Sequence, residues 1–223
     1  ELSAAEKLEG YRKQMPHYLG QSFAPIIAYG SHGAIVHYEP TQETDIPLGN
    51  ESFLLADTGG HYLEGTTDIT RTIVMGPVTK LQKQHYTAVL MGNLRLMDAK
   101  FRYGLSGAHL DYLAREPLYR MGLDFKHGTG HGVGYLLNVH EGPNAIRSRV
   151  AEDGVFKQGM ITSDEPGYYA ENEFGIRHEN LVVCKKAEKT SYGQFMKFET
   201  LTWAPIDTEA IDLSVMEPSD VLL

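Results

Sequence analysis

The sequence predicts an α+β domain built mainly on antiparallel strands. Three observations carry that reading. Short runs of β-branched and aromatic residues flank glycine-rich turns in both halves of the chain. Two helical patterns with start or stop signals lie between those halves, one after Thr79 and one from Gly107 to Met121. Between the second helix and the later strands lies His127-Gly128-Thr129-Gly130-His131-Gly132-Val133-Gly134. Glycine at every second position cannot hold a helix, so this segment reads as extended or looped.

In chain order, Ser3-Ala4-Ala5-Glu6 is a capping-box pattern that predicts a short helix to about Gln14, ended by Pro16. Ile26–Tyr29 and Ala34–Tyr38 read as strands around the turn Gly30-Ser31-His32-Gly33, and residues 40–50 as a polar loop. Ser52–Asp57 and Thr66–Val74 read as a hairpin. Centred between Tyr62 and Leu63, it would set Asp57 opposite Asp68 on one face, where two carboxylates repel unless a cation lies between them. Thr79-Lys80-Leu81-Gln82 is a second capping box, and the helix after it, ending before Gly104, carries Leu90, Leu94, Met97 and Phe101 on one face. The next helix turns Leu110, Leu113 and Ala114 inward, should kink or split at Pro117, and stops at Gly122. Arg147–Gly154 reads as a charged loop. Met160–Gly167, Gly175–Val183 and Phe195–Trp203 read as strands, the first ending in a turn. Acid-bearing strands with helices nearby in each half suggest a weak duplication.

The chain has 223 residues, 42% of them hydrophobic, enough for one sizeable core, and a formal charge of −9 that argues against a nucleic-acid backbone binder. One cysteine, Cys184, excludes a disulfide framework and a cysteine zinc site, suits a reducing cytoplasm, and reads as a buried inert thiol. No run is apolar for long enough to span a bilayer, so no membrane partner is expected. The first residue is Glu1 rather than methionine, so 1–223 reads as one domain cut from a longer protein. No P-loop, nucleophile elbow or HExxH helix is present, and a dinucleotide fingerprint begun at Gly128 fails at Val133. A histidine in the glycine run could be a metal ligand or a polar residue in a glycine-rich turn, and the acidic residues elsewhere must decide.

Six stretches, in this order, resemble the Xaa-Pro aminopeptidases (aminopeptidase P) of the pita-bread metallopeptidases. They are Ala56-Asp57-Thr58-Gly59-Gly60, Gly65–Thr72, His127–Gly134, Asn138–Pro143, Asp164-Glu165-Pro166-Gly167-Tyr168-Tyr169, and Phe174–Asn180. The resemblance covers nearly the whole chain. It implies a curved, mainly antiparallel sheet with helices outside and pseudo-twofold halves. It also implies further domains ahead of this one, and a homodimer of the full-length protein.

By that resemblance, Asp57, Asp68, His131, Glu165 and Glu179 are metal ligands. Asp68 and Glu179 would bridge two ions, Asp57 would hold one, and His131 and Glu165 would complete the other. Four carboxylates and one imidazole form a hard donor set that suits two divalent ions, Mn²⁺ foremost with Zn²⁺ or Co²⁺ as alternatives. Glu165 would move the proton of the attacking water. His140 would bind the scissile carbonyl, His37 would assist substrate binding and proton traffic, and His127 would line the proline side. Tyr169 matches a tyrosine near the site and could equally be a packed aromatic. Arg177 shares a face with Glu179, could pair with Asp57 and orient it, and His178 would point the other way. His17, His61, His85 and His109 read as surface or loop residues, and His32 is left undecided.

The implied substrate is a peptide with proline in second position. Two rivals remain open: a prolidase-like Xaa-Pro dipeptidase, and a non-catalytic pita-bread module that binds peptide or protein.

Overall fold

The computed structural model describes residues 1–136, 138–149 and 154–223. The chain opens with α1 (Leu2–Arg12), followed by β1 (Tyr18–Gln21) and β2 (Ile26–Tyr29). The capping box at Ser3 does not form. The helix begins before Ser3, and Asp45 of the polar loop caps it instead by accepting from the Leu2 N–H at 2.9 Å.

The second expected strand, Ala34–Tyr38, is also absent. A 3₁₀ turn, Gly30–Ala34, runs into a bend, with Ile35 exposed and Tyr38 buried. Close packing explains this. A Cβ on Gly33 would lie 2.9 Å from the Gly175 nitrogen, so the turn sits directly on another backbone segment.

Next come β3 (Phe53–Thr58), β4 (Gly60–Tyr62), β5 (Gly65–Thr66) and β6 (Ile69–Val74). They form one long hairpin broken by irregular residues. His61 pairs with Thr66 and Tyr62 with Gly65, so its centre lies between Leu63 and Glu64. Asp57 therefore faces Thr70, not Asp68. The partner shifts by two positions, and because side chains alternate with period two, Asp68 keeps the face of Asp57.

The Thr79–Gln82 capping box is present and starts α2 (Lys80–Met97). Phe101 does not belong to that helix. Asp98 ends it, and Phe101 lies on β7 (Lys100–Arg102). The region 107–121 divides at Leu110 into a 3₁₀ turn and α3 (Asp111–Tyr119), which carries Pro117 without splitting there. Gly122, at φ +71°, takes the left-handed turn that closes the helix.

The remaining strands are β8 (Gly130–Val133), β9 (His140–Ile146), β10 (Ile161–Asp164), β11 (Gly167–Ala170), β12 (Phe174–Arg177), β13 (Asn180–Thr190) and β14 (Gly193–Thr200). The expected strand 175–183 is thus two strands, parted at His178 and Glu179. The last strand starts earlier than expected and ends before Trp203, which is exposed. The loop expected at 147–154 falls partly outside the described residues.

Every strand pairing among the described residues is antiparallel. The main sheet runs β7-β14-β13-β10-β8-β9, and β2-β3-β6 forms a second sheet. The two meet where the Glu179 N–H donates to the Thr70 carbonyl (3.1 Å) and the Arg177 N–H to the Thr72 hydroxyl (3.0 Å). Helix α2 packs on both parts. Its Leu96 joins Phe101, Val182, Cys184 and Phe198, and its Val89 joins Phe53, Phe174 and Ile176. Cys184 is fully buried, and burial pushes its thiol up to about 11, consistent with an inert core residue.

The glycine run is extended, as expected. Its spacing follows from strand contact, since a Cβ on Gly130 would lie 1.9 Å from the Ser163 carbonyl oxygen. Gly130→Ala is expected to lower stability by about 1–3 kcal/mol or more, as overpacking does. A urea midpoint equal to that of the parent chain would refute this.

Candidate metal centre and active site

The sheets converge on a cavity of about 530 Å³, lined by Asp57, Asp68, His131, Glu165 and Glu179 together with His37, His127 and His140. Donor atoms of Asp68, His131 and Glu179 lie within 4.8 Å of one another. The His131 Nε2 atom is 3.3 Å from Asp68 Oδ2 and 3.3 Å from Glu165 Oε1. Asp57 enters from the neighbouring strand β3, 7% exposed.

Four of the five ligand candidates, His131, Glu165, Asp57 and Glu179, are held from behind. His131 donates through Nδ1 to the Gly132 carbonyl at 3.0 Å, which fixes the tautomer and turns the Nε2 lone pair toward the acids. Ser163 accepts from the His131 N–H and donates to Glu165 Oε1, both at 2.9 Å. Arg177, 2% exposed, donates to Asp57 Oδ2 and to the Tyr169 hydroxyl, both at 2.7 Å. Its Nε donates to Thr70 Oγ1 at 3.2 Å, and that hydroxyl donates to Glu179 Oε2 at 2.7 Å. Arg177 therefore orients Asp57 directly and Glu179 through Thr70.

The donor set fits a pair of cations. Asp57 Oδ1 and Glu179 Oε1 are buried and have no hydrogen-bond partner, which is costly for a carboxylate unless something positive meets it. Burial pushes the Glu165 carboxyl up to about 7; His131 and Arg177 oppose the rise, while Asp68 and Asp57 add to it. Burial also raises Glu179, with Asp68, Glu165 and Asp57 adding to the effect, and it raises Asp57 against the pull of Arg177. Carboxylates crowded out of water in this way favour bound divalent ions. Burial alone would lower the His131 pKa, but the Asp68 hydrogen bond, the Glu165 charge and the Gly132 carbonyl raise it overall.

The other histidines differ in freedom. His127 donates from Nδ1 to the Gly128 carbonyl at 2.7 Å, so its Nε2 accepts from the Tyr169 hydroxyl at 2.8 Å. Burial pushes it down to about 4, so it stays neutral at pH 7. Tyr169 stands behind the cavity, between Arg177 and His127, and is not among its lining residues. The His140 ring lies 3.9 Å from that of His131, and burial and the His131 charge lower its pKa. His37 stands exposed on the wall, where Val36, Tyr38 and Glu39 also line the cavity.

His178 is buried edge-on against Tyr86, with ring centroids 4.4 Å apart, and does not line the cavity. Two histidines expected at the surface are buried instead. His61 is held by Thr66 at 2.8 Å, and His85 packs on Tyr168 with centroids 4.3 Å apart. His61 stands on the buried face of β4 and His85 on that of α2. His32 packs on Tyr38 and shares the Glu1 carboxylate with it.

Sequence reasoning missed Thr70, Ser163, Arg147 and Glu39. Thr70 and Ser163 lie two residues from Asp68 and Glu165, a strand-parity signal that could have found them. Arg147 and Glu39 line the cavity from irregular segments, where no periodicity points inward.

The model of metallopeptidase family M24 matches residues 1–186. Aminopeptidase P1 of Lotus japonicus is 44% identical over 224 residues, covering 99% of this chain and 34% of that protein. A probable Xaa-Pro aminopeptidase P of Verticillium alfalfae is 43% identical, covering 99% and 37%. The crystal structure of X-prolyl aminopeptidase from Caenorhabditis elegans, described as a cytosolic enzyme with a di-nuclear active site, matches with a TM-score of 0.94 at 38% identity. That match covers 100% of this chain and 36% of the other. Prolidase from Pyrococcus furiosus matches at 0.76 and 31%, covering 92% and 56%. The chain thus spans about a third of the length of the curated relatives it matches. A pita-bread fold, a matching family model and near-complete coverage by relatives lead to one assignment: the chain belongs to metallopeptidase family M24.

Proposed function

We propose that these 223 residues are the catalytic domain of an Xaa-Pro aminopeptidase, which releases an N-terminal residue from a peptide whose second residue is proline. One observation carries this reading. Four carboxylates and the His131 Nε2 lone pair converge in one cavity, and two of those carboxylates, Asp57 and Glu179, each keep a buried oxygen without a partner. The relatives named Xaa-Pro aminopeptidase support the substrate class.

Asp57, Asp68, His131, Glu165 and Glu179 would hold two divalent ions, with Mn²⁺ the first candidate and Zn²⁺ or Co²⁺ as alternatives, and these would supply a water of lowered pKa and polarise the scissile carbonyl. Glu165 would take a proton from the attacking water on its carboxylate. Its Oε1 is engaged by Ser163, so Oε2 is the atom left to carry the proton toward the departing proline nitrogen. His140 donates to the oxygen that gains charge in the transition state. His37 contacts substrate at the outer wall and aids proton exchange. His127, kept neutral by burial and oriented by the Tyr169 hydroxyl, presents an uncharged surface to the proline ring. Proline lacks an N–H and has a fixed φ, so a protease that grips its substrate as a strand cannot pair with it, and a dedicated cavity is needed.

The domain is proposed to act in the cytoplasm, within a longer protein that forms a homodimer. No described helix is long and apolar enough to cross a membrane.

The test is release of the first residue from an Xaa-Pro-Pro tripeptide by chelator-stripped chain, with and without Mn²⁺. Stripping is expected to abolish release and Mn²⁺ to restore it. Cleavage of Xaa-Pro dipeptides alone would select the prolidase reading. Folded protein that binds the tripeptide without cutting it at any metal level would select the binding-module reading.

A further inference from the structure

Where β10 and β13 stop pairing, at Asp164 opposite Asn180, the next residue on each strand toward the cavity is a ligand candidate, Glu165 or Glu179. There the ladder is interrupted; it resumes at Gly167 opposite Arg177, and between the two paired stretches the His178 N–H donates to the Pro166 carbonyl at 3.4 Å. A side chain from another element also spans the interruption. Asn93 of α2, fully buried, donates from Nδ2 to the Asp164 carbonyl at 2.9 Å and to the His178 carbonyl at 3.4 Å. These are the peptide units immediately before Glu165 and Glu179. An amide nitrogen carries two hydrogens, so one group can serve both carbonyls.

The amide is itself oriented. Asn93 Oδ1 accepts from Asn180 Nδ2 at 3.3 Å, and Asn180 Oδ1 accepts from Arg71 at 2.7 Å. Arg71 also donates to the Glu179 carbonyl at 2.6 Å. The helix bearing Asn93 is fixed as well. Its start is capped by the Thr79–Gln82 box, and Gly92 lies so close to α3 that a Cβ there would be 2.2 Å from the Ala114 oxygen. The other polar side chains in this buried layer, Asp164 and His178, make no hydrogen bonds that could do the same work.

We propose that Asn93 is a positioning residue: its amide sets the spacing of the peptide units that carry Glu165 and Glu179, and so the carboxylate separation that two ions require. The inference rests on the two-ion reading of the site. Asn93 touches neither ions nor substrate. It acts on backbone, and its effect should appear in metal binding before any turnover is measured.

The experiment is calorimetric titration of Mn²⁺ into chelator-stripped chain, with the visible absorption of the Co²⁺-loaded chain as a second readout. Two variants are compared with the parent: Asn93→Asp, which keeps the shape but loses the donor, and Asn93→Ser, which is smaller and cannot clash. A core variant away from the site, Phe101→Leu, controls for general loss of stability. The parent is expected to bind two ions. Both Asn93 variants should bind at least one of them about 10- to 100-fold more weakly, the range seen when groups supporting a ligand are lost, and should show an altered Co²⁺ spectrum. Phe101→Leu should leave both affinities and the spectrum unchanged.

Parental affinities and spectrum in folded Asn93 variants would overturn the inference. So would an equal weakening in Phe101→Leu. If neither Asn93 variant folds, Asn93 is a folding residue and the inference fails on that ground. A parent chain that binds no ions would sink the two-ion reading and this inference with it. That outcome is read from the parent alone, so the two failures are distinguishable.

Discussion

Glu165→Ala is expected to reduce release of the first residue from Xaa-Pro-Pro by at least about 10³-fold, within the range for losing a general acid–base group. The argument is local. Glu165 follows directly from β10, its Oε1 is held by Ser163 and lies near His131 Nε2, and burial has already pushed its pKa to about 7. A carboxylate placed beside the attacking water can take its proton and return it to the departing nitrogen. Two losses are combined in the alanine variant, because the same carboxylate is a metal-ligand candidate. Glu165→Gln separates them only in part, since it retains one oxygen but no basicity. Metal content measured beside kcat therefore belongs to the experiment. A variant with full metal content and a 10³-fold lower kcat isolates the proton role. Turnover at the parental rate in Glu165→Ala would eliminate Glu165 from the chemistry.

The site was legible because its ligand candidates lie on or beside strands, where parity fixes the face even when register is misjudged. The hairpin shows this. Centring it one residue too early paired Asp57 with Asp68 instead of Thr70, yet both acids still met in one cavity, because the shift was even. Errors arose where tertiary contact overrides local pattern. Ala34–Tyr38 alternates like a strand, but packing of Gly33 on Gly175 forces a 3₁₀ turn. The run Gly175–Val183 looks continuous, but the chain leaves one sheet and joins another at His178, a change no periodicity records. The Ser3 capping signal lost to Asp45, which is distant in sequence and near in space. Asn93 and Arg115 were invisible for a related reason. Each acts on backbone carbonyls of a remote segment, and a polar residue within a helix carries no sign of what it will meet.

Arg115→Met is expected to cost about 3–5 kcal/mol of stability, the penalty for leaving a buried charge unpaired. Arg115 is 5% and Asp111 4% exposed, and the guanidinium donates to Asp111 Oδ2 at 2.7 Å. Its other nitrogens hold the carbonyls of Phe125 (2.7 Å) and His127 (2.9 Å), and the group stacks 3.9 Å above the Phe125 ring. Asp111 in turn accepts from the Thr129 hydroxyl at 2.6 Å. This ion pair therefore grips the entry to the glycine run at Phe125, His127 and Thr129, and the Thr129 carbonyl receives the N–H of Glu165 at 2.8 Å. Glycine supplies no side chain to hold such a segment, so its shape must be imposed by a neighbour. The contact to Asp124 adds little, because that carboxylate is half exposed and its attraction is screened. Lysine cannot replace the arginine, since one ammonium cannot span two carbonyls and a carboxylate in the fixed geometry of a guanidinium. The double variant Arg115→Met with Asp111→Asn removes the stranded charge and should recover part of the loss, as coupled sites do. Urea unfolding of the two variants, with hydrogen exchange over 125–131, decides the matter. A single variant losing less than about 1 kcal/mol, with unchanged exchange in that segment, would show that the glycine run holds its shape without the clamp.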